Sequence, residues 1–369
     1  MITIQRTRGY CKRCRKWRTP ADAVLGLEET AGYSPSVQAM AALLASKMPV
    51  EDARLVLEHL TGLQLPRATL DREARRQGER AQRLRTRMDQ HAATDKPQLE
   101  LTLEPYQMII QLDAGNIRER DDWGKSAALR RAGKEPERWH WVYTGTCFRL
   151  DHRGITAGGR PVITERGFVS TRAGIDALRE QLHAEALRRG LGQAASALVI
   201  GDGAVWIWRL ADDRFPQAQQ RLDFYHAAQH LGAVGRALFG DDKAKFKAWF
   251  KPLVKALKHP SAIQVIRQLE EALAGLTDPG AVETVTREVN YFHEHKARMD
   301  YRAGQRRGEP IGSGPVEATC RQTQCRFKRT GQFWSRQGDE ALTCLETFWR
   351  NGRWHLLFPH TSASNFAKN

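Results

Sequence analysis

Two short apolar runs, each closed by an acid, constrain this chain more than any other feature. Residues 108–112 (Met-Ile-Ile-Gln-Leu) lead into Asp113, and residues 197–201 (Ala-Leu-Val-Ile-Gly) lead into Asp202. Such runs read as buried strands, and an isolated carboxylate at the mouth of a buried strand is costly without a partner. Between them, residues 173–189 carry Ile175, Leu178, Leu182 and Leu187 at helical spacing, with Gly190 as the expected stop. A strand that returns after a helix can lie parallel to the first. The two C-terminal ends then share the sheet edge where open α/β sheets hold ligands. Asp113 and Asp202 are thus expected one strand spacing apart, in an α/β layered domain.

A third acid, Glu317, follows the turn Gly312-Ser313-Gly314-Pro315, where a helix should begin. Pro at the first and Glu at the third helical position also suit a plain helix start, in which Glu317 merely answers backbone donors and the helix dipole. Against that bland reading stands the following helical face. Arg321, Cys325 and Lys328 share it with Glu317, Arg326 and Arg329 lie beside it, and no acid occurs between Ala318 and Gly338. Three converging carboxylates with room for water suit Mg²⁺ or Mn²⁺. Two such ions about 4 Å apart can activate an attacking oxygen and stabilise a leaving one at phosphorus.

Charge names the expected partner. The 369 residues carry a net charge of +16, with the basic excess spread along most of the chain. Such a field draws polyanions, nucleic acid before an anionic membrane surface. No apolar stretch approaches the ~20 residues that span a bilayer, and the first residues lack the apolar core of a secretory signal. An intracellular, cytoplasmic protein is expected. Of six cysteines only Cys11 and Cys14 show ligand spacing. Two free thiols on a basic turn is the favoured reading, since structural zinc needs four ligands. Zn²⁺ enters only if a partner knuckle once preceded Met1, so that 1–30 is the remnant of a zinc ribbon.

Residues 31–90 read as three helices, the last bearing Arg67, Arg72, Arg75 and Arg76 among other arginines. Helix, Gly-containing turn and basic helix outline a helix-turn-helix that contacts DNA; the alternative is a solvated helix whose acids pair with neighbouring arginines. A polar linker is expected over 91–106. Strands are expected over 108–112, 139–150, 167–171, 197–201 and 221–225, within a first catalytic-core part spanning 107–240. A helical block at 241–302 follows, then the last core part at 303–369, helical from 315 to 354 with a break near Gly331. Trp334, among interleaved aromatic and basic residues, is the candidate for stacking on an exposed base.

These segments carry a resemblance. Residues 111–115, 201–207 and 311–317 resemble the three catalytic blocks of DDE transposases, and more closely those of bacterial insertion-sequence transposases of the ISKra type, related to the Mutator-like group. Asp223-Phe224-Tyr225-His226 resembles their Asp-x-x-His element, and the late helical block resembles their insertion. The resemblance implies an RNase H-like mixed sheet flanked by helices, with an all-helical insertion and an N-terminal helix-turn-helix-like region. It further implies Asp113, Asp202 and Glu317 as ligands of Mg²⁺ or Mn²⁺, and for His226, not itself a ligand, a role near the scissile phosphate or in positioning the active-site strand. A local core or capping role for His226 stays open. The implied partners are double-stranded DNA, as terminal inverted repeats and target, and further copies of the chain; the implied place is the bacterial cytoplasm. The chain departs from the pattern in its reduced cysteine set and in Ala114, where a second Gly is common. A relative that binds element ends without chemistry is the alternative.

Overall fold

The computed structural model describes residues 7–24, 33–92, 104–119, 124–134, 139–258, 262–329, 332 and 334–359. Most of the expected linker, part of the expected ribbon remnant, and the expected break at Gly331 lie outside them. The described chain opens with a small hairpin, β1 (Gly9–Cys11) and β2 (Lys16–Arg18), and a short helix α1 (Pro20–Val24). Three helices follow: α2 (Pro35–Lys47), α3 (Val50–Thr61) and α4 (Arg67–His91). Ser34 caps α2 by accepting from the Val37 N–H, and Gly62 closes α3 at φ +69°, a left-handed conformation that favours glycine.

The sheet is assembled from β3 (Gln107–Arg118), helix α5 (Ser126–Arg131), β4 (Trp139–Arg149), a side hairpin β5 (Arg153–Ile155) and β6 (Pro161–Ile163), β7 (Gly167–Thr171), α6 (Ile175–Arg188), β8 (Ser196–Gly201), α7 (Val205–Arg214), β9 (Gln219–Leu222) and α8 (Phe224–Phe239). Its five strands run in the order β7-β4-β3-β8-β9; β4 is antiparallel to both neighbours, whereas β3, β8 and β9 are parallel. The helical block comprises α9 (Lys243–Leu257), α10 (Ala262–Ala274) and α11 (Pro279–His295), followed by α12 (Tyr301–Arg306). Helices α13 (Gly314–Phe327), α14 (Arg336–Arg350) and α15 (Trp354–Leu357) end the described chain. Among the described residues no helix is long and apolar enough to cross a membrane.

Two local expectations need correction. Strand β3 does not stop at Leu112, because β4 keeps pairing with it from Asp113 opposite Thr144 to Arg118 opposite Trp139. The parallel pairing with β8 does end at Gln111 opposite Ile200, so Asp113 still stands just beyond the parallel edge. Residues 221–225 are not one strand: Leu222 ends β9, and Asp223 turns the chain by capping α8.

One face of the sheet buries Met108, Ile110, Leu112 and Val199 against α6, α7 and α8, and the same core takes in Leu253, Leu269, Val285 and Phe292 of the helical block. The N-terminal helices share a second core with the C-terminal ones. There Leu57, Leu70, Ala74 and Ala81 meet Phe327, Leu342, Leu345 and Phe348, with Ile117 and Val142 from the far end of the β3–β4 ribbon. The two cores grip the ribbon from opposite sides.

Candidate active site

The site sits where the parallel pairing of β3 with β8 ends. Asp113 is half-buried, and its Oδ1 accepts from the Ala114 N–H at 2.7 Å. Burial pushes its carboxyl above the usual range and the nearby Asp202 charge adds to that; the Cys320 thiol, the Ala114 N–H and His226 pull the other way. Asp202 follows β8 directly, and its Oδ1 accepts from the Ala204 N–H at 2.9 Å, which turns the chain into α7. Gly203 makes that turn at φ +106°, and a Cβ there would stand 2.8 Å from the Tyr291 ring. The Tyr291 hydroxyl donates to the Asp202 carbonyl at 2.9 Å, so the helical block reaches the second acid through α11.

Glu317 arrives from α13, at the fourth helical position, because the helix begins at Gly314 with Ser313 as N-cap. It takes no backbone cap. Its Oε1 lies 3.0 Å from the Ser313 hydroxyl, one helical turn back, and 3.9 Å from His226 Nε2. Ser313 is held by Asp223, which is wholly buried. Asp223 Oδ1 accepts from the Tyr225 and His226 N–H groups at 2.6 and 2.9 Å, capping α8. Its Oδ2 accepts from the Ser313 N–H and, at 2.7 Å, from the Ser313 hydroxyl. One carboxylate thus fixes both the helix that carries His226 and the turn that carries Glu317.

The turn is anchored further. Gln111 Nε2 donates to the Gly312 carbonyl at 3.2 Å, tying it to β3 two residues before Asp113. Arg221 donates to the Pro310 carbonyl and forms a buried pair with Glu309 at 2.6 Å. Gly312 has no room for a side chain: a Cβ would lie 2.7 Å from the Tyr225 ring. One turn beyond Glu317, the buried Cys320 packs on Asp113, and burial together with that carboxyl pushes its thiol well above the ordinary range. Asp113, Asp202, Glu317 and His226 therefore form one electrostatic neighbourhood. In donor chemistry the three carboxylates fit a hard divalent ion. Among the described residues no three His, Cys, Asp or Glu side chains are gathered closely enough, as they stand, to hold one.

The remaining sequence candidates fall into distinct settings. Arg67, Arg72, Arg75, Arg321, Lys328 and Arg329 are exposed; Arg75 pairs with Asp71 at 2.5 Å, and Arg76, half-buried, with Glu73 at 2.8 Å. Arg326 is not a surface residue. It is 7% exposed, and its guanidinium donates to the Ala45 and Ser46 carbonyls at the end of α2. Trp334 is half-buried: its Nε1–H donates to the Phe327 carbonyl, Phe327 packs edge-on, and the Arg326 guanidinium lies 4.8 Å from the ring centroid. Cys11 and Cys14 are free thiols at the turn of the first hairpin, where hydrogen bonds from Cys14 and Arg13 hold the Cys11 thiol below its usual range.

Sequence reasoning missed Ser313 and Tyr291 as parts of this site. Ser313 carried a signal, standing four residues before Glu317 and hence on the same helical face. Tyr291 carried none, since its place depends on how the helical block folds back.

No protein-family model matches the chain. It is similar to a protein described as "UPF0236 protein in vanSb 3'region" from Streptococcus gallolyticus, with 25% identity over 351 residues that cover 92% of this chain and 68% of that relative.

Proposed function

We propose that this protein is a DDE transposase of RNase H-like fold, which cuts DNA strands and joins their ends in a reaction dependent on Mg²⁺ or Mn²⁺. The observation that carries the reading is that Asp113 feels both the Asp202 charge and His226 where the β3–β8 pairing ends, and that His226 stands 3.9 Å from Glu317, within a chain of net charge +16. The mixed sheet, with its first and fourth strands parallel and their acids at the same end, is what this reading requires. The three acids would hold the metal, whose chemistry is to activate the attacking oxygen and stabilise the leaving oxygen at the scissile phosphorus. Asp223 and Ser313 hold Glu317 in place, and His226 stands beside it, within reach of a bound phosphate. The exposed Arg321, Lys328 and Arg329 on and after α13 supply positive charge for the DNA backbone. Water as attacker gives cleavage; a 3′-hydroxyl gives strand transfer.

The test is nicking of a plasmid that carries candidate terminal inverted repeats, with Mg²⁺, by the full chain. Asp202→Asn is expected to abolish nicking and leave DNA binding in place; undiminished nicking by that variant would sink the assignment. A second reading, DNA binding without chemistry, draws on the absence of a gathered ligand cluster among the described residues. It is favoured if the unmodified chain shifts the repeats in a gel and never nicks them.

A further inference from the structure

The β3–β4 ribbon runs past the acids into a surface that the reaction as described does not use. Alternate residues beyond Asp113 face opposite ways. Ile117 and Val142 point into the second core beside Phe327, which backs the ribbon and keeps it rigid. On the other face stand Asn116, Arg118, Trp139, Trp141 and Tyr143, with Arg118 opposite Trp139 and Asn116 opposite Trp141. The Tyr143 ring still packs edge-on against Trp206 of α7, at 5.3 Å between centroids. Past it the helical layer stops, and Trp139 and Trp141 are 51% and 52% exposed. An exposed tryptophan gives up much apolar area to water, and two of them on a strand with a buried back need a reason.

Their spacing and surroundings point to one. Two residues along a strand span roughly 6.8 Å, close to twice the thickness of an aromatic ring, so each indole can take a base or the pair can hold one between them. Cations flank the rings: Lys328 Nζ lies 5.5 Å from the Trp139 centroid and the Arg118 guanidinium 6.0 Å from it. Aromatic rings interleaved with basic side chains, on the strand pair that also carries Asp113, form a stacking platform for unpaired bases.

We infer that Trp139 and Trp141 bind unpaired nucleotides of the DNA substrate, and so favour ends that are frayed or single-stranded over blunt duplex. This rests on the nucleic-acid reading above. The test is fluorescence anisotropy with the full chain on two probes, a blunt duplex and the same duplex with a short 3′ thymidine extension. The unmodified protein is expected to prefer the extended probe. The double variant Trp139→Ala/Trp141→Ala should lose that preference by about tenfold or more, with blunt-duplex affinity unchanged. Trp139→Phe/Trp141→Phe should keep most of it, which separates stacking from a folding defect. An extended-probe preference that survives the alanine pair overturns the inference, as does an unmodified protein that binds both probes equally. Failure to bind either probe overturns the nucleic-acid reading itself.

Discussion

Asp223→Asn is the sharpest single perturbation of the site's support. The side chain keeps its size, and one oxygen can go on accepting from the Tyr225 and His226 N–H groups that cap α8. The other position becomes an NH₂ facing the Ser313 N–H, so a bond between a backbone donor and a carboxylate is replaced by two donors in opposition. Asp223 is wholly buried, and water cannot reach the orphaned N–H. Leaving a buried donor unsatisfied costs about 1–3 kcal/mol, and loss of a charged acceptor puts the total near the top of that range, about 3 kcal/mol. The Ser313 hydroxyl has a single proton for two carboxylates, Asp223 at 2.7 Å and Glu317 at 3.0 Å. It can accept from the new amide and turn to Glu317, so its share of the loss is small. Ser313→Ala, which keeps the backbone N–H, should therefore cost only about 1 kcal/mol. Urea unfolding of both variants measures the difference. A loss below about 1 kcal/mol for Asp223→Asn, or equal losses for the two variants, refutes the reasoning.

Further outcomes follow from other buried contacts. Asp339 is fully buried beside Glu119; neither of its oxygens finds a donor, and burial first, then the Glu119 charge, pushes its carboxyl far above the usual range. Glu119 pairs with Arg172 and faces His140, while Glu340 takes the Arg172 N–H and the Arg85 guanidinium. A raised carboxyl stays protonated in the folded state while the unfolded chain releases its proton above pH ~4, so this contribution falls as pH rises, by at most about 1.4 kcal/mol per pH unit. Asp339→Asn, which cannot ionise, should gain on the unmodified chain as pH rises from 5 to 8 in denaturant unfolding; parallel stability curves would contradict this. Gly78→Ala, normally worth about 1 kcal/mol in a helix, should here destabilise by about 1–3 kcal/mol. The new Cβ would meet the Ala341 Cβ at 2.5 Å where α4 crosses α14, and a raised melting temperature would refute that packing. Glu309→Gln should cost about 3–5 kcal/mol in urea unfolding, by leaving Arg221 buried without its charge partner.

What was legible in the sequence follows from how local each signal is. Residues 108–112 and 197–201 announced their strands because parallel strands buried on both faces read as continuous apolar runs. The extension of β3 through Ala114, Gly115 and Asn116 was not legible. Those residues have weak strand preference, and only pairing with β4 holds them extended. Asp202 stood where its run predicted, whereas Asp113 is terminal only with respect to β8. Helix α4 reads as the basic, DNA-contacting helix of a helix-turn-helix, yet its Leu70, Ala74 and Ala81 stripe packs on α14, from the opposite end of the chain. The same distance hid the burial of Arg326: nothing local to it shows that the Ala45 and Ser46 carbonyls need a donor. Glu317 could be placed on its helix from the sequence, but the reason it stands beside His226 lies in Ser313 and Asp223, brought together only by tertiary folding.

The account stands on Asp113, Asp202 and Glu317 acting as one divalent-cation site. Mn²⁺ binding to the full chain, followed by electron paramagnetic resonance of the free ion, measures this without DNA. The unmodified chain is expected to bind Mn²⁺, and Asp113→Asn, Asp202→Asn and Glu317→Gln should each weaken that binding by about tenfold or more while remaining folded. Unchanged Mn²⁺ affinity in the Glu317→Gln variant, with Asp202→Asn impaired, would contradict the claim that the helix-borne acid completes the site.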